Sequence, residues 1–357
     1  MWNKTSLTQQ LKLQYPIIQG PFGGSFSSVE LVSKVSNLGG LGSFGLNSYS
    51  PDQILEIDKQ IKEKTSKPYA LNLWVPFYKE AITNYTLEDF EELKGVFKPY
   101  FDALELKLPD FLEPQLQNFE TQIEAVLEAN PPVVSFIFGV PDLEIIKALK
   151  QKNIKIIGTA TTLDEGKYIA SSGLDCIVAS GIEAGGHRAS FLEVPEKSTM
   201  TTEALVQVLV PNVKLPVVAA GGITRGKDIA KMLDLGASGV QMGTAFLATK
   251  ASNASALHKR LLLSEEVLKT SLTKVFTGRL ARAIETNLSA ALMQEKKVAP
   301  YPIQSMFLSS LRKKALENNE LGYSAFWAGQ PSSPLKYKDV EELFSALLEE
   351  ITLHDGF

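Results

Sequence analysis

Short runs of apolar residues recur along the chain and predict eight β-strands. Several of these runs are apolar at consecutive positions instead of at alternate ones, which is typical of strands that are covered on both faces. Each run ends at a glycine, a proline or a polar turn. The runs are residues 15–22, 40–45, 68–74, 133–139, 155–160, 176–181, 216–222 and 239–247. This pattern predicts a parallel sheet.

The spacing of the runs predicts the topology of that sheet. Neighbouring runs in the middle of the chain start 22 and 21 residues apart, and the last two start 23 apart, which leaves room for one helix in each interval. Residues 139–153 and 224–237 have helical periodicity, with Asp142 and Thr224 as the expected caps. Eight strand–helix units in series predict an α/β fold of the (β/α)8 TIM barrel type. A doubly wound sheet is the alternative, but the G-x-G-x-x-G spacing of its nucleotide site does not follow the first strand.

Two long intervals follow predicted strands and indicate where a site would be built. Residues 75–132 form an inserted segment after the third strand, and 40 residues separate the starts of the runs at 176 and 216. Both lie after the carboxyl end of a strand, where barrels carry their active sites. We therefore expect a barrel over residues 1–250. We expect residues 251–357, which are mostly helical in pattern, to add the last barrel helix and a helical cap beside the mouth.

Composition indicates a folded protein that acts on a small molecule. Hydrophobic residues make up 44% and charged residues 21%, and Lys+Arg number 36 against 40 Asp+Glu. A net charge of −4 gives no basic surface for nucleic acid or an anionic membrane. The single cysteine, Cys176, rules out an internal disulfide and a cysteine metal cluster, and no other metal-ligand spacing is found. Without a signal-type or membrane-length apolar segment, we expect a cytoplasmic protein.

Two glycine-containing strand ends predict a phosphate site. In a barrel, the loops after the seventh and eighth strands commonly bind phosphate, because glycines let backbone amides approach the ligand. Residues 219–223 (AAGGI) and 241–246 (QMGTAF) occupy those places and supply Gly221, Gly222, Gly243 and the Thr244 hydroxyl. At one strand end the glycines could simply turn the chain. At both together, phosphate is the better interpretation.

Residues 176–191 (CIVASGIEAGGHRASF) carry His187, one of three histidines in the chain. Gly185 and Gly186 would let the backbone pass close to a flat ligand and present His187 at the barrel mouth as a base or a hydrogen-bond donor. His258 and His354 are interpreted as structural. Other polar residues keep two interpretations. Glu183 is either a second acid–base group or a brace of the loop, and Asn72 either meets the edge of a heterocycle or fastens its loop. Three arginines either bind an anionic substrate or a flavin phosphate or are solvated at the surface or salt-bridged: Arg188, Arg279 and Arg282.

The sequence resembles the nitronate monooxygenases of the first class, formerly called 2-nitropropane dioxygenases, over nearly its whole length. The segments that carry the resemblance are YPIIQGPFGG, ALNLWVP, PPVVSFIFGVP, GTATTLDEG, SGIEAGGHRASF, PVVAAGGI, GASGVQMGTAFL, FTGRLARAIETNL, YPIQSM and AFWAGQ. EAGGH also occurs in FMN-dependent enoyl-acyl-carrier-protein reductases, whereas TGRLARAIETNL and WAGQ are similar to nitronate monooxygenases in particular.

The resemblance implies FMN as cofactor and His187 as catalytic base. It implies FMN contacts at Asn72, Ser180, Gly185, Gly222, Gln241, Met242, Gly243 and Thr244. Ser180 stands where the family usually has glutamine, and Ala189 where a glycine is usual. The implied reaction is oxidative denitrification of alkyl nitronates, such as propionate 3-nitronate, or of nitroalkanes, with O₂. The products would be a carbonyl compound and nitrite, and the assembly, for which a homodimer is one option, stays open. The alternative is an NAD(P)H-dependent FMN reductase of enoyl-acyl-carrier-protein or quinone type.

Overall fold

A parallel eight-stranded sheet forms the centre of the molecule. The computed structural model describes residues 1–111, 113–114, 116–266, 268–293, 297–331 and 333–354. Its strands are β1 (Ile17–Gln19), β2 (Gly42–Gly45), β3 (Tyr69–Trp74), β4 (Val133–Ile137), β5 (Lys155–Ala160), β6 (Cys176–Ser180), β7 (Gly186–His187), β8 (Val217–Ala220), β9 (Gly239–Met242), β10 (Thr270–Thr273) and β11 (Ala281–Ile284). The large sheet has the order β1-β9-β8-β6-β5-β4-β3-β2 with parallel pairs, so the predicted TIM barrel is confirmed.

The sheet closes between its first and second strands. Ile18 forms a parallel bridge to Leu41, which lies immediately before β2. The amide of Gln19 donates to the Leu41 carbonyl, and the Leu41 amide donates to the Ile17 carbonyl, each at 2.9 Å. Closure leaves no unpaired edge on the barrel.

Helices surround the barrel and extend beyond it. They are α1 (Ser6–Leu11), α2 (Val29–Asn37), α3 (Pro51–Lys64), α4 (Lys79–Thr83), α5 (Leu87–Ala103), α6 (Phe119–Ala129), α7 (Leu143–Gln151), α8 (Leu163–Ser171), α9 (Thr202–Leu209), α10 (Gly226–Asp234), α11 (Thr244–Leu247), α12 (Ala256–Leu262), α13 (Asn287–Ala291), α14 (Ile303–Phe307), α15 (Ser309–Glu317) and α16 (Val340–His354). The helix α16 is the last barrel helix, because it packs against α10 and α2 and its Glu350 accepts a hydrogen bond from the Gly226 amide at 2.8 Å.

Two sequence expectations about local structure were wrong. The eighth run was expected to stay extended to residue 247, but β9 ends at Met242 and α11 begins at Thr244. Of the two expected caps, Asp142 has the predicted position and Thr224 does not. Asp142 occupies the N-cap position of α7 without a side-chain cap bond, and Arg225, one residue beyond Thr224, is the N-cap of α10. The Asp228 carboxylate accepts from the Thr224 and Arg225 amides instead, so the helix start is satisfied from inside the helix.

The inserted segment and the C-terminal segment form one cap with its own hydrophobic core. Aromatic side chains of α5 pack against Phe307 of α14, with ring centroids 5.6, 5.6 and 5.4 Å away for Phe90, Phe97 and Phe101. The C-terminal segment, predicted as mostly helical, also contains β10 and β11. These two strands pair antiparallel with each other, and β11 also pairs antiparallel with β7, the glycine–histidine pair of the loop after β6. Residues 355–357, at the end of the predicted cap, lie outside the described residues.

Among the described residues, no helix is both long and apolar enough to cross a bilayer. The same part of the chain contains no group of three or more His, Cys, Asp or Glu side chains arranged to bind a metal ion.

Candidate active site

A cavity of about 570 Å³ opens at the carboxyl ends of the barrel strands. Its size is within the roughly 300–1,000 Å³ of small-molecule pockets. Side chains from β3, β4, β5, β6 and β9 line it, and the cap closes it from the other side. The lining includes Asn72, Trp74, Ser135, Thr159, Ser180 and Gln241 from the barrel, with Tyr301, Arg312 and Trp327 from the cap.

Most of the glycines in the cavity wall are required by the fold. Gly221 and Gly222 have φ of +122° and +74°, a region that disfavours other residues. A Cβ on Gly185 would lie 2.5 Å from the Gly329 nitrogen, so the β6 loop can approach the cap only without a side chain there.

Gly243 is different, because nothing in the protein itself requires a glycine there. Its φ is −102°, which any residue can adopt. An added Cβ would contact only the Phe22 ring, at 3.8 Å, among the described atoms outside its chain neighbours. The missing side chain therefore leaves room at the cavity wall.

Three arginines that lie outside the cavity lining hold the loop after β6 in place. Arg188, 1% exposed, donates to the carbonyls of Ser180, Gly181 and Ser198. Arg279 donates to the Arg188 carbonyl at 3.0 Å, and Arg282 donates to the Ile182 carbonyl at 2.8 Å. All three guanidinium groups bind backbone, and none is among the residues that line the cavity. These arginines therefore brace the loop through backbone carbonyls, a role different from the anion binding, surface solvation or salt bridging expected from the sequence.

Glu183 also braces the loop. Its carboxylate accepts from the Thr202 amide at 2.8 Å and from the Thr202 hydroxyl at 2.9 Å, at the start of α9. Both carboxylate contacts are structural, which favours bracing over an acid–base role for Glu183. Cys176 is buried in the barrel core, and burial raises the pKa of its thiol to about 12.

His187 is held at the cavity by β11 and enclosed by aromatic rings. It lies opposite Ala281 in the β7–β11 pair. Ring centroids of Trp74, Tyr301 and Trp327 lie 5.7, 5.6 and 5.6 Å from the imidazole, and Phe138 lies at 6.3 Å. This enclosure removes water from the imidazole and, with the nearby positive charge of Arg279, lowers the pKa of His187 to about 3. The imidazole is therefore neutral at pH 7.

One contact of the imidazole bears on which ring nitrogen carries the hydrogen. Nε2 lies 2.9 Å from the Thr277 hydroxyl oxygen, whose own hydrogen can be donated to the Arg279 carbonyl at 3.3 Å. With the hydroxyl hydrogen used in this way, Nε2–H would donate to Thr277 and the lone pair would be on Nδ1. No hydrogen-bond partner for Nδ1 is found in the part of the chain that the structure describes. A neutral nitrogen with a free lone pair at a cavity wall can accept a proton from a ligand.

The residues predicted to contact FMN come together in this cavity, with one exception. Asn72, Ser180, Gly185, Gly222, Gln241, Gly243 and Thr244 all line it, as does His187. Met242 does not, because it is 1% exposed and belongs to the hydrophobic core. Neighbouring residues of a strand point to opposite faces, so a cavity-facing Gln241 directs Met242 into the core. A contact from Met242 would have to come from its backbone.

The aromatic enclosure, Thr277 and Arg312 were not expected from the sequence. The segments AFWAGQ and YPIQSM contain Trp327 and Tyr301, but only the packing of the cap brings these rings to His187. His258, interpreted as structural, is 2% exposed, and its Nε2 lies 3.0 Å from the Trp327 carbonyl. It therefore fixes the backbone of one of these aromatic residues. His354 is the last residue of α16.

Comparison with known proteins places the chain in a family. The sequence profile of the nitronate monooxygenases matches residues 4–350. The chain belongs to the nitronate monooxygenase family. Its relatives include a "Probable nitronate monooxygenase" of Staphylococcus haemolyticus, 39% identical over 354 residues and 98% of each chain. Another of the same name, from Staphylococcus aureus strain MSSA476, is 40% identical over 332 residues and 92% of each chain.

A solved structure shares both the barrel and the cap. Nitroalkane oxidase from Streptomyces ansochromogenes superposes with a TM-score of 0.88 at 31% identity, over 98% of this chain and 99% of that one. Membership of the family makes this protein a flavin-dependent oxidoreductase that oxidises nitronates or nitroalkanes.

Proposed function

We propose that the protein oxidises alkyl nitronates, such as propionate 3-nitronate, or neutral nitroalkanes, with FMN as cofactor and O₂ as oxidant. The products would be a carbonyl compound and nitrite. The observation that carries the proposal is the neutral imidazole of His187, enclosed by aromatic rings and facing a cavity with glycines in its wall. A reaction that begins by removing a proton from carbon needs such a base, placed in a site that excludes water.

The residues of the cavity fit FMN. Gly243 leaves space that the protein's own packing does not use, as expected where a backbone approaches a phosphate. Next to it, the Thr244 hydroxyl accepts from the Gly329 amide at 2.8 Å and keeps its own hydrogen for donation. The Asn72 amide donates to Ser135 at 2.9 and 3.1 Å, so its carbonyl oxygen stays available for the edge of a heterocycle. Ser180, Gly185, Gly222, Gln241 and the backbone of Met242 would complete the FMN site.

His187 would remove the α-proton of a nitroalkane through Nδ1. Thr277 would fix the ring by accepting from Nε2–H, so the lone pair on Nδ1 would not depend on a tautomer change. The negative charge of the nitronate that forms beside it would stabilise the imidazolium, which the aromatic enclosure otherwise disfavours. When bound, FMN supplies the redox chemistry between the nitronate and O₂. With a preformed nitronate, His187 would act only as a hydrogen-bonding partner.

Anaerobic reduction of the FMN-loaded protein tests this proposal. Propionate 3-nitronate should bleach the flavin absorbance without NADH, and readmitted oxygen should restore it with release of nitrite. NADH alone should not bleach it. Bleaching by NADH and not by nitronate would contradict the proposal and support the enoyl or quinone reductase instead.

A further inference from the structure

Gln304 is a buried amide that joins two segments of the cap. It lies on α14 and is 0% exposed. Its Oε1 accepts from the Ala299 amide at 3.0 Å, and its Nε2 donates to the Val275 carbonyl at 2.7 Å. Only one orientation of the side-chain amide satisfies both partners, because the first is a donor and the second is an acceptor. Gln304 therefore links residues 275–277 to residues 299–301.

Each of the two linked segments carries a contact of His187. Thr277, two residues after the carbonyl that accepts from Gln304, lies 2.9 Å from the imidazole Nε2. Tyr301, two residues after the amide that donates to Gln304, has its ring centroid 5.6 Å from that of the imidazole. Gln304 itself is not among the residues that line the cavity. It therefore acts on the imidazole only through the residues that it links.

Close backbone packing joins the same two segments. Gly278 has a φ of +84°, and a Cβ added there would lie 2.7 Å from the Tyr301 nitrogen, so the turn at Gly278 contacts the backbone before α14. Phe276, in the same turn, packs edge-on against Trp327 with ring centroids 6.3 Å apart. Trp327 is itself one of the rings around the imidazole. A displacement of this turn would therefore move the Thr277 hydroxyl and the aromatic enclosure together.

The backbone groups that Gln304 binds are themselves buried. Ala299 is 1% exposed and Val275 is 2% exposed. Without the side-chain amide, a buried donor and a buried acceptor would each lose a partner, which costs free energy unless the backbone moves or water enters. Either change would shift Thr277 and Tyr301 relative to the imidazole.

We propose that Gln304 is a positioning residue for the base. By linking the two segments, it would hold the Thr277 hydroxyl and the Tyr301 ring in place and so fix the direction in which His187 presents Nδ1 to the cavity. This inference rests on the proposed function, because it names a residue that supports the proposed base. Its loss should impair proton abstraction and leave flavin binding unchanged.

Gln304→Met tests the inference, because methionine has a similar length and makes neither hydrogen bond. The matched control is Gln122→Met. Gln122 is 4% exposed on α6, and its Nε2 donates to the carbonyls of Leu46 and Tyr49 at 3.1 and 2.8 Å. Both variants remove a buried amide with two backbone partners, so both should lower the melting temperature. Only the first variant should change the base.

Turnover is the first measurement. In Gln304→Met, kcat/KM for neutral nitroethane should fall roughly 10- to 100-fold, the scale expected for a misplaced catalytic group. The value for ethyl nitronate, which has no proton to lose, should stay within about threefold. Gln304→Glu supplies the rescue. A protonated glutamic acid can make both hydrogen bonds, and burial favours the protonated form, so this variant should keep at least about half of the wild-type nitroethane rate at pH 5.

The imidazole N–H is a second measurement that does not depend on turnover. In the FMN-loaded wild type, an Nε2–H of His187 that is bound to Thr277 and enclosed by rings should exchange slowly and give a proton–nitrogen NMR signal at pH 7. His187→Gln assigns that signal. Gln304→Met should lose it through exchange with water, and Gln122→Met should keep it.

These measurements separate the inference from the proposed function. Equal losses of nitroethane turnover in Gln304→Met and Gln122→Met, or an unchanged Nε2–H signal in Gln304→Met, would overturn the positioning role and leave the proposed function standing. Should Gln304→Met fail to fold, a Gln304→Glu protein that is folded at pH 5 and loses nitroethane turnover there would also overturn it. Loss of the signal in Gln304→Met alone, in a protein that oxidises neither nitroethane nor ethyl nitronate, would refute the proposed function and leave the positioning role.

Discussion

Replacing His187 with glutamine removes the proposed base and keeps its best-defined contact. In the wild type, the imidazole Nε2 lies 2.9 Å from the Thr277 hydroxyl oxygen. The Nε2 of a glutamine can occupy the same position beside that hydroxyl. The loop, the β7–β11 pair and the flavin site should therefore be preserved. A positioned general base contributes about 10²- to 10⁴-fold to a rate. We expect kcat/KM for nitroethane to fall at least about 100-fold, and that for ethyl nitronate, which has no proton to lose, to fall much less.

The pH profile of the wild type gives the prediction a second, quantitative part. With its pKa lowered to about 3, His187 stays neutral throughout the range from pH 8 to pH 5. An imidazole with the ordinary pKa of about 6.5 would be only roughly 3% neutral at pH 5, and the rate would fall roughly 30-fold. The enclosed imidazole should instead give a nearly flat profile.

Stopped-flow reduction of the bound flavin, with fresh neutral nitroethane and no oxygen, measures both quantities. The flavin content and the melting temperature of His187→Gln must match those of the wild type for the comparison to hold. A variant that turns over nitroethane at the wild-type rate would refute the base role. A wild-type profile with a midpoint near pH 6.5 would refute the argument that the aromatic enclosure keeps the imidazole neutral.

Three further predictions concern the flavin site and stability. Gly243→Ala should weaken FMN binding about 10- to 100-fold, since overpacking typically costs about 1–3 kcal/mol, without lowering the melting temperature of the apoprotein. Fluorescence titration would measure it beside Gly95→Ala, an exposed helical control with nothing near its added Cβ, and equal FMN affinities would contradict it. Ser180→Gln should be tolerated and tighten FMN about fivefold through one added hydrogen bond worth about 1 kcal/mol; weaker binding would show that the cavity has no room there. His258, with its pKa lowered to about 4 by burial, should cost the fold about 2 kcal/mol between pH 7 and pH 5, because only the unfolded chain takes up the proton. Urea titrations should show that loss in the wild type and a smaller one in His258→Gln, and the same loss in both would argue against it.

The eight barrel strands could be predicted because their signal is local. Strands buried on both faces consist of consecutive apolar residues, and this is visible within each run. β7, β10 and β11 carry no such signal. β7 is two residues long, and its partner Ala281 lies far along the chain. A pairing of that kind depends on tertiary structure, so the mixed polarity of TSLT and ARAI did not indicate strands.

Residue type alone predicted the site incompletely, because the role of a side chain depends on its direction. Gln241 and Met242 are adjacent in the same motif, but strand alternation places one at the cavity and the other in the core. The arginines show the same limit. Arg188 and Arg312 have the same side chain, so residue type does not distinguish them. In the structure, Arg188 donates to carbonyls of the loop after β6, whereas Arg312 lines the cavity.

The proposed base, His187, is positioned by the cap and not by the barrel that carries the loop. Thr277 and Ala281, which hold the imidazole and the backbone of His187, belong to the C-terminal segment. The same segment packs through Phe307 onto α5 of the inserted segment. The glycines proposed to hold the phosphate, in contrast, follow β8 and β9 of the barrel. The proposed sites of cofactor binding and proton abstraction therefore lie on different parts of the fold, and a change that loosens the cap core should impair catalysis before it impairs flavin binding.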